Sequence, residues 1–253
     1  MSTNKSTSLS RRNWKVVGLL AIVVFLLIGC RYGVIRGSGS VVTEDRDVSG
    51  FDSVALSGFG RVIVTQGDQE SLTVETDDNL MRYIQTEVRD GTLVLGFTDD
   101  ARYKIPDPSS SVIFRLSLTD LNALDVSGAG SFEIDELDAD RLVVTLSGAG
   151  DLRIDSLTAT DLVVTTNGAG NVELAGAVET QTIDLSGLGN YNARDLESRT
   201  ATVSISGAGN AGFWVRDTLD VTISGAGGVD YFGSPEVTKN ISGVGKVTGR
   251  GDK

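Results

Sequence analysis

The sequence predicts an all-β chain wound as a parallel β-solenoid, with about 18–20 residues in each coil. Two observations predict it. The tetrapeptide S-G-x-G (once N-G-x-G) recurs from Ser127 to Gly245 at spacings of 20, 20, 19, 20, 18 and 18 residues. A fixed period in this range marks a stacked repeat architecture. Around each recurrence, apolar residues alternate at period two on both sides of the glycine pair, the spacing of a strand with one buried face. Helical periodicity is absent.

The columns follow once each coil is aligned on its opening Ser or Asn. For Ser147 the apolar set is Leu142, Val144, Leu146, Ala149, Leu152, Ile154 and Leu157; for Asn167 the matching positions are Leu162, Val164, Thr166, Ala169, Val172, Leu174 and Ala177. Later coils repeat the pattern with Ile183, Leu185 and Tyr191, then Val203, Ile205 and Phe213, then Val221, Ile223 and Val229. The reading is two strands per coil.

The S-G-x-G segments are then corners, built on Gly128, Gly130, Gly148, Gly150, Gly168, Gly170, Gly187, Gly189, Gly207, Gly209, Gly225, Gly227, Gly243 and Gly245. Positive φ, open to a residue without Cβ, is the expected reason for glycine there. The residue between the two glycines is expected to face inward. The Ser/Asn column is expected to hydrogen-bond from coil to coil at about 4.8 Å. Outward, Glu133, Arg153 and Glu173 lie 20 apart and stack as alternating charges, and Thr145, Thr165, Ser204 and Thr222 line another column.

Residues 41–120 are less regular and read as coils capping the regular run of 121–250. Strands are expected near Ser53–Leu56, Arg61–Thr65 and Ser71–Thr76, a helical turn in "DDNLMRYI" with Asp77 or Asp78 as cap, and a hairpin around Asp90-Gly91. Ala101–Ser111 holds two of the three prolines and reads as an excursion.

The N-terminus lies outside the repeat. Lys5, Arg11, Arg12 and Lys15 precede the uncharged run Val16–Gly29. A basic segment followed by about 14 apolar residues fits a secretory signal and is short for a membrane span, which needs about 20. The run ends in Leu27-Ile28-Gly29-Cys30, which resembles a bacterial lipobox. Cys30 is then a lipidation site and residues 1–29 a removed signal; the alternative is an uncleaved anchor with the basic residues kept in the cytoplasm. Residues 30–40 form a flexible tether. Both alternatives place the solenoid outside the cytoplasm, on the bacterial cell envelope.

Composition excludes several functions. With no His, imidazole zinc sites and Ser-His or Cys-His pairs are ruled out, and a single Cys rules out an intrachain disulfide. Removing the four basic residues of 1–29 leaves 18 basic against 34 acidic residues, a net charge of −16 that argues against nucleic acid.

The stretches "DRDVSGFDSVALSGFGRVIVTQG" and "LTVETDDNLMRYIQTEV", with the later "LDVSGAG" and "LSGAGD", resemble the bacterial head GIN domain family, described as autotransporter adhesin heads. The resemblance covers about Val41 to Val247, although the Gly-Ile-Asn triplet of the family name is absent. It implies a right-handed parallel β-helix on a secreted or lipid-anchored envelope protein. No catalytic residues come with it.

Four motifs resemble chemical sites. Gly207–Gly212 spells G-x-G-x-x-G but is followed by strand pattern, whereas dinucleotide binding needs a helix N-terminus. "GAGGVD" at 225–230 lacks the nine-residue period of calcium-binding β-rolls. Asp135 and Asp155 share a column but the next member is Ala175, which leaves a pair of surface carboxylates. Arg250-Gly251-Asp252 is a tripeptide common by chance. No metal or cofactor is expected.

The candidate ligand site is Arg194, Trp214 and Phe232, one nominally outward column over three coils. Exposed aromatics beside Arg stack on sugar rings or anchor a protein partner; the alternative is a bulge, where coils shorten to 18, that tucks both rings into a corner. The leading function is a non-enzymatic adhesion surface for a glycan or cell-surface protein. The alternatives are a carbohydrate-active β-helix enzyme and a structural or signalling partner of a membrane complex.

Overall fold

The computed structural model describes residues 35–99 and 112–253. Cys30, the segment 1–29 and the Ala101–Ser111 excursion lie outside the described residues.

The chain is a β-solenoid of stacked parallel coils. Its N-terminal part contains β1 (Val41–Arg46), β2 (Ser53–Ser57), β3 (Arg61–Gln66), β4 (Ser71–Asp77), the short helix α1 (Asp78–Met81), β5 (Ile84–Arg89), β6 (Thr92–Phe97), β7 (Ile113–Leu118) and β8 (Ala123–Val126). The regular coils are β9 (Ser131–Leu146), β10 (Asp151–Thr166), β11 (Asn171–Leu185), β12 (Asn190–Ile205) and β13 (Asn210–Ile223), and β14 (Gly228–Phe232), β15 (Glu236–Ile241) and β16 (Lys246–Gly249) close the stack. Neighbouring coils from β9 to β13 pair in parallel, with Leu152 beside Phe132 and Val172 and Val164 beside Val144 and Ile183.

Each regular coil is one long extended run, where the sequence suggests two strands. In β10, Leu152 and Ile154 are buried, Asp155 and Ser156 both face solvent, and burial resumes at Leu157, Ala159, Leu162, Val164 and Thr166. Two successive outward residues bend the strand around the core without ending its ladder, as a bulge does. At the same bend in β11, Gly176 takes φ +121°, and a β-carbon there would lie 2.2 Å from the Leu157 carbonyl oxygen.

The corner glycines serve a different purpose from the expected one. Among the S-G-x-G glycines only Gly58 and Gly60, of the irregular first corner, have positive φ. The regular ones are required by close stacking. A β-carbon on Gly148 would sit 1.9 Å from Gly128 O, and one on Gly168 would sit 1.7 Å from Gly148 O. The intervening residue also faces the other way. Leu188 is 68% exposed and Val244 85%, while the second glycine of each regular corner up to Gly227 is buried. The corner is too tight for any inward side chain, so the alternation puts the x residue in solvent.

The expected Ser/Asn ladder is sparse: Ser186 Oγ donates to Asn167 Oδ1, whereas Ser127 Oγ bonds a backbone carbonyl instead. A running ladder lies four residues further on. Asn171 donates to Asp151 through N and Nδ2, Asn190 Nδ2 donates to Asn171 Oδ1 at 3.1 Å, and Asn190 Oδ1 accepts from Asn210. Gly228 N closes it on Asn210 Oδ1 at 3.1 Å.

The capping region takes the expected elements. Asp90 and Gly91 have φ of 49° and 76°, the left-handed pair of a tight hairpin between β5 and β6. Asp77 is the N-cap of α1, yet its carboxylate accepts from Gly39 N rather than from the helix. With Asn79 Nδ2 donating to Arg36 O at 2.7 Å, the second half of the expected tether is fastened to α1. In the last coil Lys239 takes the core column of Val221, a charge that blunts the open edge against further pairing.

Candidate binding face

The coils shorten by two residues between β12 and β13, three being lost after Ala193 and one returned after Ser198. Ala193 pairs with Phe213, but the next partner of Trp214 is Glu197, so Arg194, Asp195 and Leu196 have no counterpart in β13. Trp214 then pairs with Phe232. The outward column is therefore Glu197, Trp214 and Phe232, and Arg194 is displaced from it. Its guanidinium crosses Gly212, where a β-carbon would meet Nε at 2.7 Å, and reaches Asp230 at 3.5 Å. The sequence holds the signal: the core positions Ala193 and Ala201 are eight apart, but Phe213 and Leu219 only six.

Trp214 and Phe232 are both half-buried, between the exposed patch and the tucked corner. Ser198 Oγ donates to the Trp214 carbonyl at 3.1 Å, and buried Val215 follows directly, so the backbone under the indole is held. Gly233, with φ +96°, turns the chain after Phe232 against the Val215 carbonyl. Inside the same coils Tyr191 and Phe213 pack at 5.2 Å.

Charges surround the aromatic column. Arg216 pairs with Glu197 at 3.1 Å, and Arg199 bridges Asp217 at 3.0 Å and Glu179 at 3.4 Å. The hydrogen bond to Asp217, and then its charge and that of Glu179, raise the Arg199 guanidinium above its ordinary value. Glu197, Ser198, Arg199 and Arg216 line a groove of about 240 Å³. A second hollow of about 450 Å³ lies over Glu133, Asp151, Arg153 and Glu173.

The expected charge column is present, with Arg153 Nη1 3.1 Å from Glu173 and Arg61 paired to Glu133. The Glu133 interaction raises Arg61 above its ordinary value. Asp155 is held by Arg153 Nε at 2.7 Å, so Asp135 and Asp155 do not form an isolated carboxylate pair. Among the described residues no cluster of three metal-ligating side chains occurs. Gly207–Gly212 runs from a corner into β13, with no helix to receive a pyrophosphate. Asp230 is bound by Arg194 and Arg250.

A family model described as "Putative auto-transporter adhesin, head GIN domain" matches residues 50–235. The chain belongs to the head GIN domain family. A crystal structure of a "putative adhesin" from Bacteroides fragilis NCTC 9343 is 27% identical, with 85% of this chain and 99% of that one covered at a TM-score of 0.80. A "putative adhesin" from Parabacteroides merdae ATCC 43184 is 21% identical, covering 86% and 99% at a TM-score of 0.67. A "putative lipid binding protein" from Parabacteroides distasonis ATCC 8503 is 23% identical, covering 85% and 98% at 0.66. The last two share the fold. No curated protein matches the sequence. Family and fold support an adhesin-like role at the cell surface for this head GIN domain. Among the described residues, no helix is long and apolar enough to cross a membrane.

Proposed function

We propose that this head GIN domain is a non-enzymatic adhesin module, held on the bacterial envelope through the segment that ends at Cys30 and binding its partner on the Trp214 face. The observation that carries the reading is the Glu197–Trp214–Phe232 column beside an ion-paired groove. It pairs half-buried aromatic rings, anchored from below by buried Val215, with satisfied charges that set orientation. Aromatic rings of this kind stack on sugar rings or fill a partner's pocket, and few such residues carry most of an interface.

A glycan-array and pull-down screen tests the face. Trp214→Ala is expected to lose the captured ligand while retaining a cooperative melt; full binding by that variant would remove the face from consideration. The anchor has its own test. Wild-type protein is expected to carry lipid on Cys30 and Cys30→Ala to accumulate as precursor, whereas an intact chain with Met1 and a free thiol would favour an uncleaved anchor.

A further inference from the structure

An ammonium group already sits on this face. Lys253 Nζ donates to the backbone carbonyl of Arg194 at 2.7 Å, pairs with the Asp195 carboxylate and lies 5.2 Å from the Trp214 ring centroid. A carbonyl, a carboxylate and an aromatic face together suit the compact three-donor head of a lysine; the planar fork of a guanidinium asks for a different geometry. Arg194 and Asp195 are two of the three residues that the register shift leaves without a counterpart, so the carbonyl and carboxylate reach Trp214 only because the coil shortens here.

The occupant is carried on a short strap. Arg250 pairs with Asp230 at 3.0 Å, Gly233 N donates to Gly251 O at 2.9 Å, and Ser234 Oγ donates to Asp252 at 2.8 Å. Both charged side chains of Arg250-Gly251-Asp252 are thereby engaged within the chain. The side chain of Asp195 stays 70% exposed, so the contact can exchange with solvent and with a competitor.

We propose that Asp195, the Arg194 carbonyl and Trp214 form a socket for the lysine side chain of a basic polypeptide, closed in the free protein by Lys253. The inference rests on the reading of the Trp214 face as the binding surface. The net charge of −16 over residues 30–253 draws a basic segment toward the protein. Lys253 competes with it as a tethered ligand at high effective concentration.

The full-length chain carrying Trp14→Phe leaves Trp214 as its one indole, and its fluorescence is titrated with acetylated, amidated tetralysine and tetra-arginine. Lys253→Met is expected to tighten tetralysine at least about tenfold and to favour it over tetra-arginine, and Asp195→Asn in that background to reverse the gain. Equal tightening of both peptides, or a gain that survives Asp195→Asn, would mean plain attraction to an acidic surface and overturn the socket. A screened ligand that needs Trp214 but ignores Lys253 and Asp195 would also overturn it while leaving the binding face intact; one that ignores Trp214 would remove the face itself.

Discussion

The phenol of Tyr191 donates to Gln181 Oε1 at 2.7 Å inside the core, where both residues are 1% exposed. Gln181 stands in the column of Leu142 and Leu162, so a polar pair replaces a leucine there. Its Nε2 has no partner among the described residues. Tyr191→Phe strands the glutamine oxygen as well and should cost about 1–3 kcal/mol, whereas adding Gln181→Leu removes both polar groups and should recover most of it. Urea unfolding of the two variants checks this; equal stability of the single variant and wild type would contradict it.

Burial pushes the Tyr191 phenol well above its ordinary value. The unfolded phenol ionises at about pH 10, while the native one keeps its proton. Between those two points the native state binds more protons, so stability is full below about pH 10 and falls as pH rises further. Tyr191→Phe should flatten that alkaline decline. A decline of unchanged slope would assign it to other groups.

The stacked corners make a sharp contrast testable. Gly148→Ala places a methyl against the Gly128 carbonyl, backbone that can move only by spreading the coils, and should cost at least about 1–3 kcal/mol. Ala149→Ser, one residue away and facing solvent, should stay within about 0.5 kcal/mol. Thermal melts of equal midpoint for the two would show that the coils do not need a glycine at 148.

Asn190 sits mid-ladder, donating to Asn171 and accepting from Asn210. Asn190→Ala cuts both links and should cost about 0.5–1.5 kcal/mol for each net hydrogen bond lost. Asn190→Asp keeps the acceptor and should fall between alanine and wild type. Denaturant midpoints in that order support the ladder; an Ala variant as stable as wild type would reduce it to surface decoration.

Trp214→Ala should destabilise by about 1–2 kcal/mol, below the 3–5 kcal/mol of a wholly buried aromatic, because the indole is half-buried. In the Trp14→Phe chain, Trp214 emission should lie between water-exposed and core values with partial acrylamide quenching. A blue, fully protected signal would place the ring in the core and leave no binding face.

Periodicity by itself determines much of this molecule. A repeat of 18–20 residues with alternating apolar positions can bury its inward columns only by stacking, so the solenoid, the core columns through Leu142, Val144, Leu146, Leu152 and Ile154, and the Glu133–Arg153–Glu173 stack were legible along the chain, whereas Ala149, Ala169 and Ala177, read as core, face solvent. The hairpin at Asp90-Gly91 was legible too, since its left-handed pair is a local demand. What tertiary structure alone decided depends on how closely coils approach and where a register slips. The corner glycines answer to a carbonyl about twenty residues earlier rather than to their own φ, and that crowding forces Leu188 and Val244 outward. Arg194 left its column because the chain drops two residues at the bend, and Lys253 reached Trp214 from 39 positions away because the last strap folds back over it. Spacing along a chain measures position within a coil; it does not measure the distance between coils, and that distance chose these contacts.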